Sequence, residues 1–382
     1  MTRIFVCGDI VNSVAHEVFC DKEMEKLIQK ADYSVCNFEA PIETKSKPIL
    51  KAGPNMQQIR ETVKMLKEQG FDLLLLANNH VFDYGMQGLK ETLDEAKDKS
   101  IEIMGAGVNF ELTYQPLIKT INGVKFGFIN ACEAQFGQLY SNESNLGGYA
   151  WINHPIIDDT VMKLREEVDF IIFFAHAGLE HYDVPLVEWR ERYKRLCDLG
   201  VDAVVATHPH IPQGYEKYNN KYIFYSLGNF YFPEHNAIDK KEYGYSIILD
   251  FELGRDLKYE IVFHVRQELM LKRISENESP ISLKVLNKKL DANSYPSIIE
   301  KVYLEAFNNI CYWYYASAFN AITEQDSIKT KFYKLIKQIF FPNKNQRQRE
   351  LLLLHLIRNE TYRYVAQKAL EFKINNYLDN LN

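Results

Sequence analysis

Residues 71–94 read FDLLLLANNHVFDYGMQGLKETLD, and this stretch decides the fold class. FDLLLL (71–76) is apolar throughout, as a strand covered on both faces must be. Residues 85–100, GMQGLKETLDEAKDKS, carry apolar residues at helical spacing. Between strand and helix stand Asn78, Asn79 and His80, polar groups placed where a buried strand ends. A βα unit with hydrogen-bonding side chains at the strand's carboxyl end is the building block of an α/β sheet with a ligand crevice along one rim.

The same pattern recurs outward from this unit. Apolar strands are expected at RIFVC (3–7), YSVCN (33–37), VKFGFIN (124–130), DFIIFFA (169–175) and VDAVVA (201–206), with a further helix over 56–70. Each of four strands besides 71–76 delivers ligand-type residues at its end. These are Asp9 after the first, Asn37 and Glu39 after the second, His176 and Glu180 after 169–175, and His208 and His210 after 201–206. In VVATHPHIPQG (204–214), Pro209 disfavours a helical His208, so the HPH run is expected extended, with both imidazoles on one side. Beyond 206 the reading is antiparallel. One hairpin is expected over 216–227, turning at Asn219-Asn220, and another over 243–265, turning at Gly254. A helical C-terminal region is expected from 271, giving units 1–270 and 271–382.

Taken singly these residues are ordinary. Asn78-Asn79 suits a turn, Gly8-Asp9 suits a helix cap, and His154, His181, His235 and His264 read as structural histidines. Convergence of five strand ends is what points to chemistry. Carboxylate, amide and imidazole donors suit divalent Mn²⁺, Fe²⁺ or Zn²⁺, one or two ions, rather than a thiolate zinc site. Paired metals of this kind activate water and clamp phosphoryl oxygens.

Composition narrows the classes. The 382 residues are 46% hydrophobic and 25% charged, with net charge −6, which disfavours a nucleic-acid binder. Six scattered cysteines without CxxC spacing suit a reducing compartment. MTRIFVCGDI lacks a signal-peptide pattern, and no apolar run reaches the length of a membrane span, so a cytoplasmic location is expected. Residues 328–349 hold seven basic residues and no acidic one, with Ile328, Phe332, Leu335, Ile336, Ile339 and Phe340 at helical spacing. Two readings stand: a helix packed on the catalytic domain, or an amphipathic helix on a membrane or a protein partner.

The blocks GDI (8–10), NFEAPI (37–42), GFDLLLLANNHVFDYGMQGLKETLD (70–94), GAG (105–107), HAGLEHYDVP (176–185) and THPHIPQGYEKYNNKYIFYSLGNF (207–230) resemble the CapA-type proteins of poly-γ-glutamate and capsule synthesis, grouped with calcineurin-like metallophosphoesterases. The resemblance implies a four-layer αββα sandwich and a metal-dependent hydrolase. It implies metal ligands at Asp9, Glu39 (bridging), Asn79, His176, His208 and His210, with Asp9 and His210 on one metal and His176 and His208 on the other. His80 then donates a proton or stabilises charge on the reacting group, oriented by Asp83 unless that residue caps the following helix. Asn37, Asn78, Glu180 and Gln213 would line the pocket or support ligands. The SLGNF block (226–230) reads as structural, a tight turn at Gly228. This chain departs from the wider pattern at Val11, where a histidine is common, and at Ala177, where many relatives have tryptophan. The substrate implied is a small molecule or polymer carrying phosphate or carboxylate. Phosphoester and amide hydrolysis remain open, as does a non-catalytic part in polymer synthesis or export.

Overall fold

The structure, a computed structural model, describes residues 1–15, 17–141, 147–233, 240–340 and 345–379. His235 and residues 341–344 of the basic run lie outside the described residues.

In chain order the strands are β1 (Thr2–Ile10), β2 (Tyr33–Phe38), β3 (Leu73–Leu75), β4 (Glu102–Met104), β5 (Ala106–Gly107), β6 (Leu117–Ile121), β7 (Val124–Cys132), β8 (Gln138–Leu139), β9 (Gly148–Ala150), β10 (Phe170–His176), β11 (Ala203–Thr207), β12 (Tyr215–Tyr218), β13 (Lys221–Phe224), β14 (Asn229–Tyr231), β15 (Glu242–Phe251), β16 (Lys258–Gln267) and β17 (Met270–Arg273). The helices used below are α1 (Lys22–Gln29), α2 (Glu61–Gln69), α3 (Gly85–Asp98), α4 (Phe110–Tyr114), α5 (Pro155–Glu167), α6 (Val187–Leu199), α7 (Leu283–Lys288), α8 (Tyr295–Ala306), α9 (Tyr312–Ala318), α10 (Ile328–Phe340), α11 (Gln346–Arg358) and α12 (Glu360–Asp379).

Two large mixed sheets form the first unit. One runs β17-β16-β15-β1-β2-β3-β4, with β14 also paired to β1. The other runs β12-β13-β11-β10-β7-β6, and a small β5-β9-β8 sheet stands apart. Alternation along the strands builds the layers. Ile4, Val6, Val35 and Leu73 of the first sheet share a core with Phe126, Phe128, Ile172, Phe174 and Val205 of the second. The opposite face of the first sheet, with Phe5, Cys7, Cys36 and Leu74, packs on Met24 and Ile28 of α1, Val63 and Leu66 of α2, and Leu89 of α3. Helices α5 and α6 cover the second sheet, contacting β10 and β11. This is the αββα sandwich. Strands β1, β2 and β3 are parallel neighbours, as are β7, β10 and β11, so their carboxyl ends share a rim. All six cysteines are buried and unbridged.

The hairpins stand where the turn chemistry put them, with Asn219 and Asn220 both at positive φ between β12 and β13. The HPH run differs from expectation. His208 has φ 101° and His210 φ 61°, so the segment is a left-handed turn rather than an extended strand. Such backbone costs about 1–3 kcal/mol per residue. It is held because the turn brings the His208 N–H to Asp9 Oδ2 at 3.2 Å.

Contacts divide the chain into a unit of residues 1–49, 55–133 and 137–294 and a unit of residues 50–54, 134–136 and 295–382. The sequence boundary at 270 differs because β17 pairs with β16 and α7 sits against β12. The second unit is helical, α8 to α12, around buried Tyr303, Ala306, Cys311, Leu356, Val365 and Ala369. Within it, buried Glu360 accepts the Ala134 N–H at 2.7 Å.

Candidate metal centre

Strand ends bring the candidate ligands together. Asp9 closes β1, where a pleat irregularity between Cys7 and Asp9 shifts its register against β2. Asn37 at the end of β2 donates from Nδ2 to Asp9 Oδ1 at 2.8 Å and lies 3.2 Å from His176 Nδ1. His176 ends β10, with its Nδ1 also 3.0 Å from Thr207 Oγ1 and its Nε2 3.1 Å from Asn79 Oδ1. Glu39 Oε1 stands 3.4 Å from His176 Nε2 and 4.0 Å from His210 Nε2. His210 Nδ1 is 3.7 Å from Asp9 Oδ2, and the His176 and His208 rings are 4.6 Å apart between centroids.

Two overlapping groups have one ligand atom each within 4.8 Å of the others: Asp9, Glu39 and His176, and Glu39, His208 and His210. Glu39 belongs to both, the bridging place. Asp9 lies equally close to two imidazoles, 3.7 Å from His176 Nδ1 and 3.7 Å from His210 Nδ1.

The electrostatics fit a cation. Glu39 is fully buried and neither carboxylate oxygen has a hydrogen-bond partner among the described residues. Burial, then the Asp9 charge, pushes its carboxyl well above the usual range. A buried carboxylate without a hydrogen-bond donor is costly to ionise, and a bound divalent ion would offset that cost. Asn37 Oδ1 and His208 Nδ1 are also buried without partners. Burial lowers His176 to about 3 and, with His176 beside it, holds His208 well below its usual value, so both are neutral, as ligands must be. Burial alone would lower His210, but Glu39, Asp9 and Glu180 outweigh it and raise it to about 9.

The remaining expected residues divide by role. His80 Nδ1 is 2.7 Å from Asp83 Oδ2, and the same oxygen accepts the Met56 N–H at 2.7 Å. Helix α3 has no side-chain cap from this position, so Asp83 orients His80 rather than capping. Asn78 spends its side chain on backbone, donating to Phe38 O and accepting the His80 N–H. It shapes the loop without reaching the ligands. Gln213 likewise donates to Tyr182 O at 2.7 Å and braces that loop. Glu180 lies at the rim, 3.9 Å from His208 Nε2. Although burial would raise it, the surrounding imidazoles hold its carboxyl below the usual range.

A family model described as "Bacterial capsule synthesis protein PGA_cap" matches residues 4–234, more than half of the chain.

The chain belongs to the PGA_cap family.

Relatives include "PGA biosynthesis protein CapA" of Bacillus subtilis (strain 168), 32% identical over 218 residues, which are 55% of this chain and 56% of that protein. "Capsule biosynthesis protein CapA" of Bacillus anthracis is 30% identical over 233 residues, 59% of this chain and 56% of that protein. The chain thus spans little more than half the length of these curated relatives. Among solved structures, a hypothetical protein from Thermus thermophilus is similar at TM-score 0.44 and 14% identity, covering 69% of this chain and all of the other. A putative 5'-nucleotidase from Staphylococcus aureus in complex with alpha-ketoglutarate is similar at TM-score 0.45 and 15% identity, covering 76% and 58%.

This PGA_cap chain holds residues at the site that sequence reasoning missed. Buried Glu133 follows β7, its Oε1 3.7 Å from His208 Nε2 and its Oε2 accepting the Gly178 N–H at 3.3 Å. The signal was present, since ACE (131–133) is a sixth strand end carrying a carboxylate. Asn229, read with SLGNF as structural, has Oδ1 3.0 Å from His210 Nδ1. That contact orients the ring, with Nε2 turned towards Glu39 Oε1 at 4.0 Å. The turn reading of Gly228 holds, at φ 73°. His181, set aside as structural, has its ring 6.0 Å from His210, and His264 is fully buried beside Phe230, 5.0 Å between centroids.

Val11, at the departure from the histidine pattern, is buried and lines a cavity of about 520 Å³ with Ser13, Glu43, Asn55, Met56 and Phe232. The cavity adjoins the centre. Phe232 meets the His210 ring edge-on at 5.2 Å, and Met56 is bonded to Asp83. Among the described residues, no lysine or arginine lines it.

Proposed function

We propose that this protein is a metal-dependent hydrolase acting on a phosphoester in the synthesis of capsule, poly-γ-glutamate or another cell-envelope polymer. The observation that carries the reading is Glu39, a buried carboxylate without a hydrogen-bond partner, shared by two groups of ligand atoms. Family membership, and the printed names of the relatives, support the polymer context.

Asp9, Glu39, Asn79, His176, His208 and His210 would hold one or two divalent ions, for which Mn²⁺, Fe²⁺ and Zn²⁺ all suit the oxygen and nitrogen donors. Bound there, such ions lower the pKa of water and offset charge on phosphoryl oxygens. The protein's own part is proton handling and placement. Asp83 accepts the His80 Nδ1–H, so Nε2 is the nitrogen that exchanges a proton. Water adds to phosphorus and the ester P–O bond breaks. The leaving oxygen takes a proton from His80 Nε2, and the proton lost by water restores it. The adjoining cavity takes the remainder of the substrate. Its hydroxyl, amide and single-carboxylate lining suits a neutral, hydrogen-bonding group better than a further anion.

Metal analysis after purification, followed by turnover of bis(4-nitrophenyl) phosphate with Mn²⁺, tests the reading. Wild type is expected to bind metal and hydrolyse, and His208→Ala to lose both. A metal-free wild type, or a His208→Ala variant equal to it, would overturn the assignment.

A further inference from the structure

Helix α10 buries none of its large apolar side chains. Ile328, Phe332, Leu335, Ile336, Ile339 and Phe340 fall on one arc of the helix, yet their exposure runs from 37% at Ile336 to 86% at Ile328. An arc of this width normally faces a core. Among the described residues of the helical unit the arc meets no core.

The opposite face is cationic. Lys331, Lys334 and Lys337 recur every three residues there, Lys329 falls within the arc between Ile336 and Phe340, and the helix contains no acidic residue. Lys334 is tied to Asp326 at 2.7 Å and to Ala321 O at 3.1 Å, which anchors the helix to the loop before it. Lys329, Lys331 and Lys337 have no ion pair among the described residues. Tyr333 adds an aromatic ring with a polar tip, 62% exposed, a group suited to a boundary between apolar and wet surroundings.

We propose that α10 is a docking helix for an anionic lipid surface. It would lie in the interface plane with Phe332, Ile339 and Phe340 in the acyl boundary and its lysines among anionic headgroups. Charge complementarity selects this occupant. Pairing α10 with the same helix of a second copy would cover the apolar arc but leave the outward-facing lysines without a counter-charge, since neither helix carries a carboxylate. An anionic leaflet answers both faces at once. The inference does not rest on the hydrolase reading, since none of these residues belongs to the metal centre.

The test is co-sedimentation of the full chain with vesicles of phosphatidylcholine alone or with about one-third phosphatidylglycerol. Binding is expected only to the anionic vesicles and is expected to weaken with salt. Lys331→Gln with Lys337→Gln should weaken it about 25-fold, at roughly fivefold per lysine. Phe332→Glu with Ile339→Glu should weaken it at least about tenfold by removing the buried apolar contact. Circular dichroism and melting temperature confirm that both double variants fold. Absence of binding by wild type, equal binding to both vesicle types, or equal binding by all variants would each overturn the proposal. So would a dimer that Phe332→Glu with Ile339→Glu dissolves in a chain that ignores vesicles, which would assign the face to a second copy.

Discussion

Glu39 has two carboxylate oxygens in the interior with no hydrogen-bond partner, while its neighbours Asp9 and Asn37 are already tied to each other. A residue so placed is destabilising until a cation compensates it. Glu39→Gln should therefore lower metal occupancy and cut phosphodiester turnover at least about a hundredfold, read by elemental analysis and initial rates. Glu133 acts through another residue, beside His208. Glu133→Gln should weaken metal binding by about 10–100-fold while saturating metal restores most of the rate. Failure of added metal to rescue it would place Glu133 in the chemistry instead. Asp83 orients His80, so Asp83→Asn should lower kcat by about tenfold or more and leave KM nearly unchanged. Of these groups, Asp9, Glu39, Asn79, His176, His208 and His210 were legible because each follows an apolar strand. Glu133 obeys the same rule, but its strand was taken to end at Asn130, whereas β7 runs on to Cys132.

At the scale of elements, the centre depends on how closely β1 and β14 approach. A Cβ on Gly8 would stand 1.8 Å from the Gly228 carbonyl oxygen, which no side chain can occupy. Gly8→Ala should cost about 3 kcal/mol of unfolding free energy in denaturant melts. It should also reduce metal binding, because β14 carries Asn229, the partner of His210. An unchanged midpoint would mean that the strands separate without penalty. The HPH turn shows the limit of local reasoning. Pro209 is the strongest local signal there, and it argues for extended backbone at His208. The hydrogen bond from His208 to Asp9, 199 residues away in sequence, decides otherwise.

For the whole molecule, a ligand that binds only the folded state raises stability by mass action. Divalent metal at about a hundred times its dissociation constant contributes about 2.7 kcal/mol. Mn²⁺ should therefore raise the melting temperature by roughly 3 °C, and a chelator should reverse it. No shift in wild type, with no metal retained, would count against a metal centre. No helix among the described residues is long and apolar enough to cross a membrane.

The sequence by itself determined the strands, the amphipathic helices and the side chains that end on one rim, because hydrophobic period and turn chemistry are local properties. Family membership was legible for the same reason, in short blocks such as NNHVFDYG and THPHIPQG. Only tertiary structure decided which ligand-type atoms lie within reach of one another, that Asn229 orients His210, that Glu133 stands beside His208, and that α10 exposes its apolar arc. Each of these depends on distances between segments far apart in the chain, or on whether a face finds a neighbour, and neither is written in a periodicity.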